Sequence, residues 1–196
     1  AFNGGYAVTV GTQPTGQTCT VSNDTGSGVV ANITNVTVTC STNTYTIGAT
    51  VTGLTTGLTP DQQVTLLNGG NPLIVTATQN GTLRTFSTPV AYNGSYAVTV
   101  GTNPVGKTCT VSNGSGSGVV ANITNVTVTC STSTFTSGGT ISGLVGTQQV
   151  TLNNGAGGGG NSVTSSANGA FEFTTPVAYD TGYTVTVGTQ PTGQTC

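Results

Sequence analysis

The chain has no histidine, no methionine and no tryptophan, and it has almost no charge: two Lys or Arg and four Asp or Glu in 196 residues. Each absence excludes something. Without histidine there is no Ser-His nucleophile and no mixed Cys/His zinc site. The two cations are Arg84 and Lys107. They cannot form the basic patch that neutralises a phosphate backbone, so nucleic acid is not expected as a partner. A typical soluble domain is about 25% charged; this chain is 3%. A net charge of −2 gives little self-repulsion, so like molecules can lie close together. No apolar run approaches the roughly 18 residues of a membrane-spanning helix, so no membrane insertion is expected. Residues 1–5 (AFNGG) lack a signal-peptide pattern and read as the middle of a longer motif. Disorder fits poorly, because Val alternating with Thr suits pleated sheet.

Five cysteines are present: Cys19, Cys40, Cys109, Cys130 and Cys196. No C-x-x-C pair exists to begin an all-cysteine metal site. No metal or cofactor is therefore expected. Disulfides remain, and these belong to an oxidising compartment, which places the chain outside the cytosol.

What the sequence has in abundance is repetition. NITNVTVTC stands at residues 32–40 and again at 122–130. YAVTV at 6–10 returns at 96–100, and as YTVTV at 183–187. Such a period is too long for a solenoid turn and matches a complete small β-domain. The repeats divide the chain into residues 1–40 (the C-terminal part of one repeat), 41–130 (a complete repeat) and 131–196 (the N-terminal part of the next).

Strands in the complete repeat can be read from alternation and turn residues. They fall at residues 44–52, 62–67, 73–78, 82–87, 95–100, 108–112 and 119–130. Asn68-Gly69-Gly70 ends the second and Asn80-Gly81 the third, the latter a hairpin signal. Seven short strands without helical periodicity indicate a β-sandwich. In the last strand Val126, Val128 and Cys130 should face the core, with Thr127 and Thr129 outward. Ile123 has the opposite parity, so a bulge is expected near Asn125.

Cys19 and Cys40 share the spacing of Cys109 and Cys130. The pairs Cys19–Cys40 and Cys109–Cys130 are expected, each closing a loop worth about 3 kcal/mol by chain entropy. Four cysteines allow three connectivities, bridges between repeats among them. Cys196 is left unpaired within the chain. Residues 1–19 and 178–196 agree at all but four positions, Phe2/Tyr179, Asn3/Asp180, Gly4/Thr181 and Ala7/Thr184. The chain is read as a window onto a longer tandem array. The competing reading is a whole subunit whose split ends complete each other by strand donation; two segments would then compete for one slot.

GATVTGL (48–54), QQVTLLNGG (62–70), QNGTLRTF (79–86), GSYAVTV (94–100), CTVSNG (109–114) and NVTVTC (125–130) together carry a resemblance. The chain resembles the Thr/Gly-rich immunoglobulin-like repeats of large bacterial secreted and cell-surface proteins. Part of it is similar to prealbumin-like or collagen-adhesin B-type domains. The resemblance covers essentially the whole chain, and it implies tandem Ig-like β-sandwich beads used as a stalk, spacer or filament. Some B-type domains carry a Lys–Asn crosslink. Here Lys107 aligns with Gln17 and Gln194, so such a bond cannot be general.

Candidate sites each have a plainer explanation. Asp24, Asp61, Glu172 and Asp180 do not recur between repeats and read as isolated surface residues, not a catalytic pair. Asp24-Thr25-Gly26 is too little for a calcium cage. Gly157 to Gly160 lacks the Lys and helix of a phosphate loop and reads as a flexible loop. Asn32, Asn35, Asn80, Asn93, Asn122 and Asn125 begin sequon-like strings, so glycans are candidate partners. The Thr37/Thr39 and Thr127/Thr129 rows read as ordinary outward β positions rather than an ice-binding face. Tyr6, Tyr45, Tyr92, Tyr96 and Tyr183 read as packing residues rather than sugar platforms. No enzyme is expected. The expected function is structural: an extracellular filament or rod whose partners are copies of itself or neighbouring repeats. The alternative is the stalk of a large bacterial adhesin on the cell surface, its binding tip elsewhere.

Overall fold

The computed structural model describes residues 2–57, 62–156 and 160–196. Among these the protein is all-β, with one short 3-10 turn at Ala77–Gln79. Residues 1–40 hold β1 (Gly4–Ala7), β2 (Gln17–Ser22), β3 (Thr25–Val29) and β4 (Thr37–Thr42). Next come β5 (Thr44–Tyr45), β6 (Ile47–Thr52), β7 (Gln63–Asn68), β8 (Asn71–Thr76), β9 (Leu83–Thr85) and β10 (Val90–Ala91). The middle repeat ends with β11 (Ser95–Thr102), β12 (Lys107–Ser112), β13 (Ser115–Ser117) and β14 (Ile123–Thr132). The rest carries β15 (Thr134–Phe135), β16 (Gly138–Ile141), β17 (Val150–Ala156), β18 (Asn161–Ser165), β19 (Gly169–Glu172), β20 (Val177–Ala178) and β21 (Tyr183–Thr189).

The chain forms two compact units, Ala1–Asn103 with Thr110–Thr129, and Pro104–Cys109 with Cys130–Cys196. The first holds two four-stranded sheets, in the orders β13-β11-β7-β8 and β12-β14-β6-β9. Both send side chains to the interior. Ile47, Ala49 and Val51 on β6 are fully buried, as are Val64 and Leu66 on β7, Val75 on β8, and Val126 and Val128 on β14. Thr127 and Thr129 alternate with them and are exposed. Each valine or leucine so buried contributes about 1.5–3 kcal/mol. β14 runs parallel to β6, and its register slips between Ile123 and Val126. Three steps on β14 there span two on β6, which is the bulge that brings Ile123 and Val126 into the ladder despite their opposite parity.

The turn from β7 to β8 is the two-residue Gly69-Gly70, with φ of 56° and 87°. That is the handed turn that twisted hairpins require. Asn80-Gly81 is different from its sequence expectation. β8 and β9 lie in different sheets, so this dipeptide marks a crossover and not a hairpin. The Gly81 amide donates to the Val51 carbonyl, and Asn80 Oδ1 accepts from the Leu54 amide. Three other expectations change. Thr46 interrupts the first strand, residues 119–122 are not strand, and the short β10 and β13 are added.

Residues 1–40 form two antiparallel pairs, β1–β3 and β2–β4. The second unit holds the pairs β15–β20 and β16–β19 and the three-stranded sheet β18-β17-β21. Its core is Ile141, Val150, Leu152 and Phe173, with Leu144, Val163, Phe171 and Val187 packed against it. Phe171 and Phe173 meet edge to face with ring centroids 5.6 Å apart. The cluster joins β16 and β19 to the three-stranded sheet. No described helix is long and apolar enough to cross a membrane.

Candidate functional site

The structure joins Cys19 to Cys40 and Cys109 to Cys130, and leaves Cys196 free and exposed. Cys19 and Cys40 face each other directly across β2 and β4. Gln13 holds Cys19 in place: its Nε2 donates to the Cys19 carbonyl (3.0 Å), and its Oε1 accepts from the Cys19 amide (2.6 Å). Gln190 grips Cys196 in the same way, at 3.2 and 2.8 Å. The free thiol thus sits on the same local scaffold as a bonded one.

A second constellation occurs twice. The Asn43 amide donates to the Gly16 carbonyl, and the Tyr92 amide donates to the Asn43 carbonyl. Ninety residues on, the Ser133 amide donates to the Gly106 carbonyl, and the Tyr179 amide donates to the Ser133 carbonyl. Both glycines have positive φ, 72° and 68°. A Cβ on either would collide with the tyrosine ring. Only glycine meets both demands. The third equivalent, Gly193, has φ of 73°, and nothing lies within 4 Å of the point where its Cβ would stand.

The largest concavity is a groove of about 330 Å³ in the second unit, lined by Phe135, Gly138, Val177, Ala178, Tyr183 and Val185 among others. Their counterparts in the middle repeat are Tyr45, Gly48, Val90, Ala91, Tyr96 and Val98. There the space is occupied. Val119, 3% exposed, is bound through its carbonyl to the Asn93 amide and through its amide to the Gly94 carbonyl. Tyr96 donates its hydroxyl to the Asn113 carbonyl, and its ring lies against Gly116. The Ile123 amide donates to the Thr46 carbonyl, and Asn122 Oδ1 accepts from the Thr46 amide. Tyr183, the counterpart of Tyr96, is 64% exposed.

Strand edges show the same contrast. Among the described residues β16 pairs with β19 alone, whereas its counterpart β6 also pairs with β14. β4 pairs with β2 alone, whereas its counterpart β14 also pairs with β6. Val38 on β4 is 57% exposed and Val128 on β14 is 0% exposed, although both stand in the string NVTVTC.

The remaining sequence candidates are dispersed. The six sequon asparagines are exposed, as are Asp24, Glu172 and Asp180. Asp61 and Gly157 to Gly159 lie outside the described residues. Among the described residues no three His, Cys, Asp or Glu side chains gather to hold a metal ion. Tyr6, Tyr45, Tyr92 and Tyr96 are half-buried, and Tyr6 and Tyr96 repeat one hydroxyl bond, to the carbonyls of Asn23 and Asn113. The groove itself was not legible from residue types. Its signal is the alignment of Phe135 to Val185 with a segment whose covering strand is present elsewhere in the chain. No protein-family model matches the chain, and no curated protein matches it in sequence.

Proposed function

We propose that the chain is a structural protein: Ig-like β-sandwich repeats joined in series as part of an extracellular bacterial rod or filament. The observation that carries this reading is the recurrence of one junction. The backbone bonds and the tyrosine-on-glycine contact of Gly16, Asn43 and Tyr92 return at Gly106, Ser133 and Tyr179. A junction built the same way each time fixes one step from repeat to repeat. Two disulfides suit an oxidising exterior. Low charge permits close lateral approach. The reading assigns no catalysis and no cofactor. An adhesin stalk uses the same mechanics, with recognition placed in a separate tip.

Small-angle scattering on the dilute chain tests it. A compact chain of this length has a radius of gyration of about 16 Å. Repeats in series, each about 35–45 Å long, give about 25 Å. A value at the compact limit rules the rod out. Binding of the isolated chain to a glycan array would favour a carbohydrate-binding role over a purely mechanical one.

A further inference from the structure

We propose that the groove of the second unit is the docking site for residues 20–40 of a second copy of this chain, which give up their own residues 1–19 and pair instead with residues 178–196 of the acceptor. The proposal rests on the rod reading and names the partner that extends it.

The occupant is identified by the molecule itself. In the middle repeat the equivalent space is filled by residues 114–123, and the edge of β6 by β14. Residues 20–40 differ from 110–130 only at Asp24/Gly114 and Thr25/Ser115. Val29 is the counterpart of the buried Val119, and Val38 that of the buried Val128. The walls correspond as well: Phe135 stands for Tyr45, while Gly138, Val177, Ala178, Tyr183 and Val185 keep the residue types of Gly48, Val90, Ala91, Tyr96 and Val98.

The sheets complete in register. β4 with β2 and β16 with β19 are the two halves of the order β12-β14-β6-β9. β3 beside β21-β17-β18 reproduces β13-β11-β7-β8. β1 is then redundant, because β21 already holds its place. This resolves the duplicated segment. The bonds that residues 20–40 make to residues 1–19 are remade with 178–196, which match at all but four positions. What is added is the parallel pairing of β4 along β16 and the burial of Val29 and Val38. Gly193 takes the place of Gly16 beneath Tyr92 of the second copy, on a site that is open in the free chain.

The join closes covalently without an oxidant. The Cys196 thiolate attacks Sγ of Cys40 in the second copy, which is exposed. The Cys40–Cys196 bond forms as the Cys19–Cys40 bond breaks. The electron pair leaves on the Cys19 sulfur, which takes up the proton that Cys196 lost. One disulfide and one thiol enter, and one of each leaves.

The test incubates the chain at high concentration and slightly alkaline pH, then separates it without reductant and maps the alkylated peptides. The expected result is a ladder of linked copies, a Cys196–Cys40 peptide, and alkylation newly at Cys19. Cys196→Ser should abolish the covalent ladder while light scattering still detects association. Val38→Lys, at a position exposed in the free chain, should leave monomer folding unchanged and lower association by roughly tenfold or more. A strictly monomeric chain overturns the proposal, including the case in which continuous polypeptide past residue 196 fills the groove. So does a dimer linked Cys196 to Cys196, or association indifferent to Val38→Lys. A monomer that scatters as a rod but never associates overturns the exchange and leaves the rod. A compact particle that still forms the Cys196–Cys40 ladder overturns the rod and keeps the exchange.

Discussion

The ring of Tyr92 stands in the space that any side chain at residue 16 would occupy, and Tyr179 stands in the same relation to residue 106. The contact links the end of one sequence repeat to the body of the next. It needs a positive φ and an absent Cβ together, so it is sensitive to the smallest substitution.

Gly106→Ala should therefore destabilise the second unit. Left-handed backbone costs alanine about 1–2 kcal/mol, and the collision with the ring adds overpacking of about 1–3 kcal/mol. Gly193→Ala meets no neighbour and should show the backbone cost alone. Thermal unfolding of both variants measures the difference. Equal losses would mean that the Tyr179 contact contributes nothing.

Val128→Ala and Val38→Ala remove the same groups from the same nine-residue string. Val128 is fully buried beside β6, and its loss should cost about 1.5–3 kcal/mol. Val38 is mostly exposed, and its loss should cost no more than about 0.5 kcal/mol. Denaturant unfolding of the dilute chain reads both.

That pair also shows how far sequence reaches. Val/Thr alternation placed the inward and outward faces of β14 and marked the bulge near Asn125, because pleat and parity are local properties. It could not separate Val38 from Val128, since their difference is the presence of a neighbouring strand. Asn80-Gly81 departs from its hairpin reading for a related reason: a turn signal fixes local backbone, and which sheet the chain enters next is set by packing. The cysteine spacing was legible because each pair closes its own short loop. The groove at Phe135 and Tyr183 was not, because it is defined by a strand that residues 131–196 do not contain.

The two disulfides should differ in reactivity. Cys109 and Cys130 are both buried, whereas Cys40 is exposed on β4. Limited reduction followed by alkylation should label Cys19 and Cys40 well before Cys109 and Cys130, because exchange needs access to a sulfur. Mass mapping over a reduction time course gives the order. Simultaneous labelling would mean that the second unit opens as readily as the first pair.

Asn154 offers a stabilising change. Its side chain is fully buried on β17; Nδ2 donates to Ser137 Oγ at 2.9 Å, and Oδ1 has no partner. An unsatisfied buried acceptor costs about 1–3 kcal/mol. In the middle repeat the counterpart of Ser137 is the buried Ile47, and Asn68, the counterpart of Asn154, spends its Oδ1 on the Ala97 amide. Asn154→Leu alone removes the orphan but strands the Ser137 hydroxyl. Combined with Ser137→Ile it removes both polar groups and restores an apolar layer. The double variant should therefore unfold at higher denaturant than the parent by about 1–3 kcal/mol, with the single variant in between. A double variant less stable than the parent would show that the Ser137–Asn154 bond outweighs the orphaned oxygen.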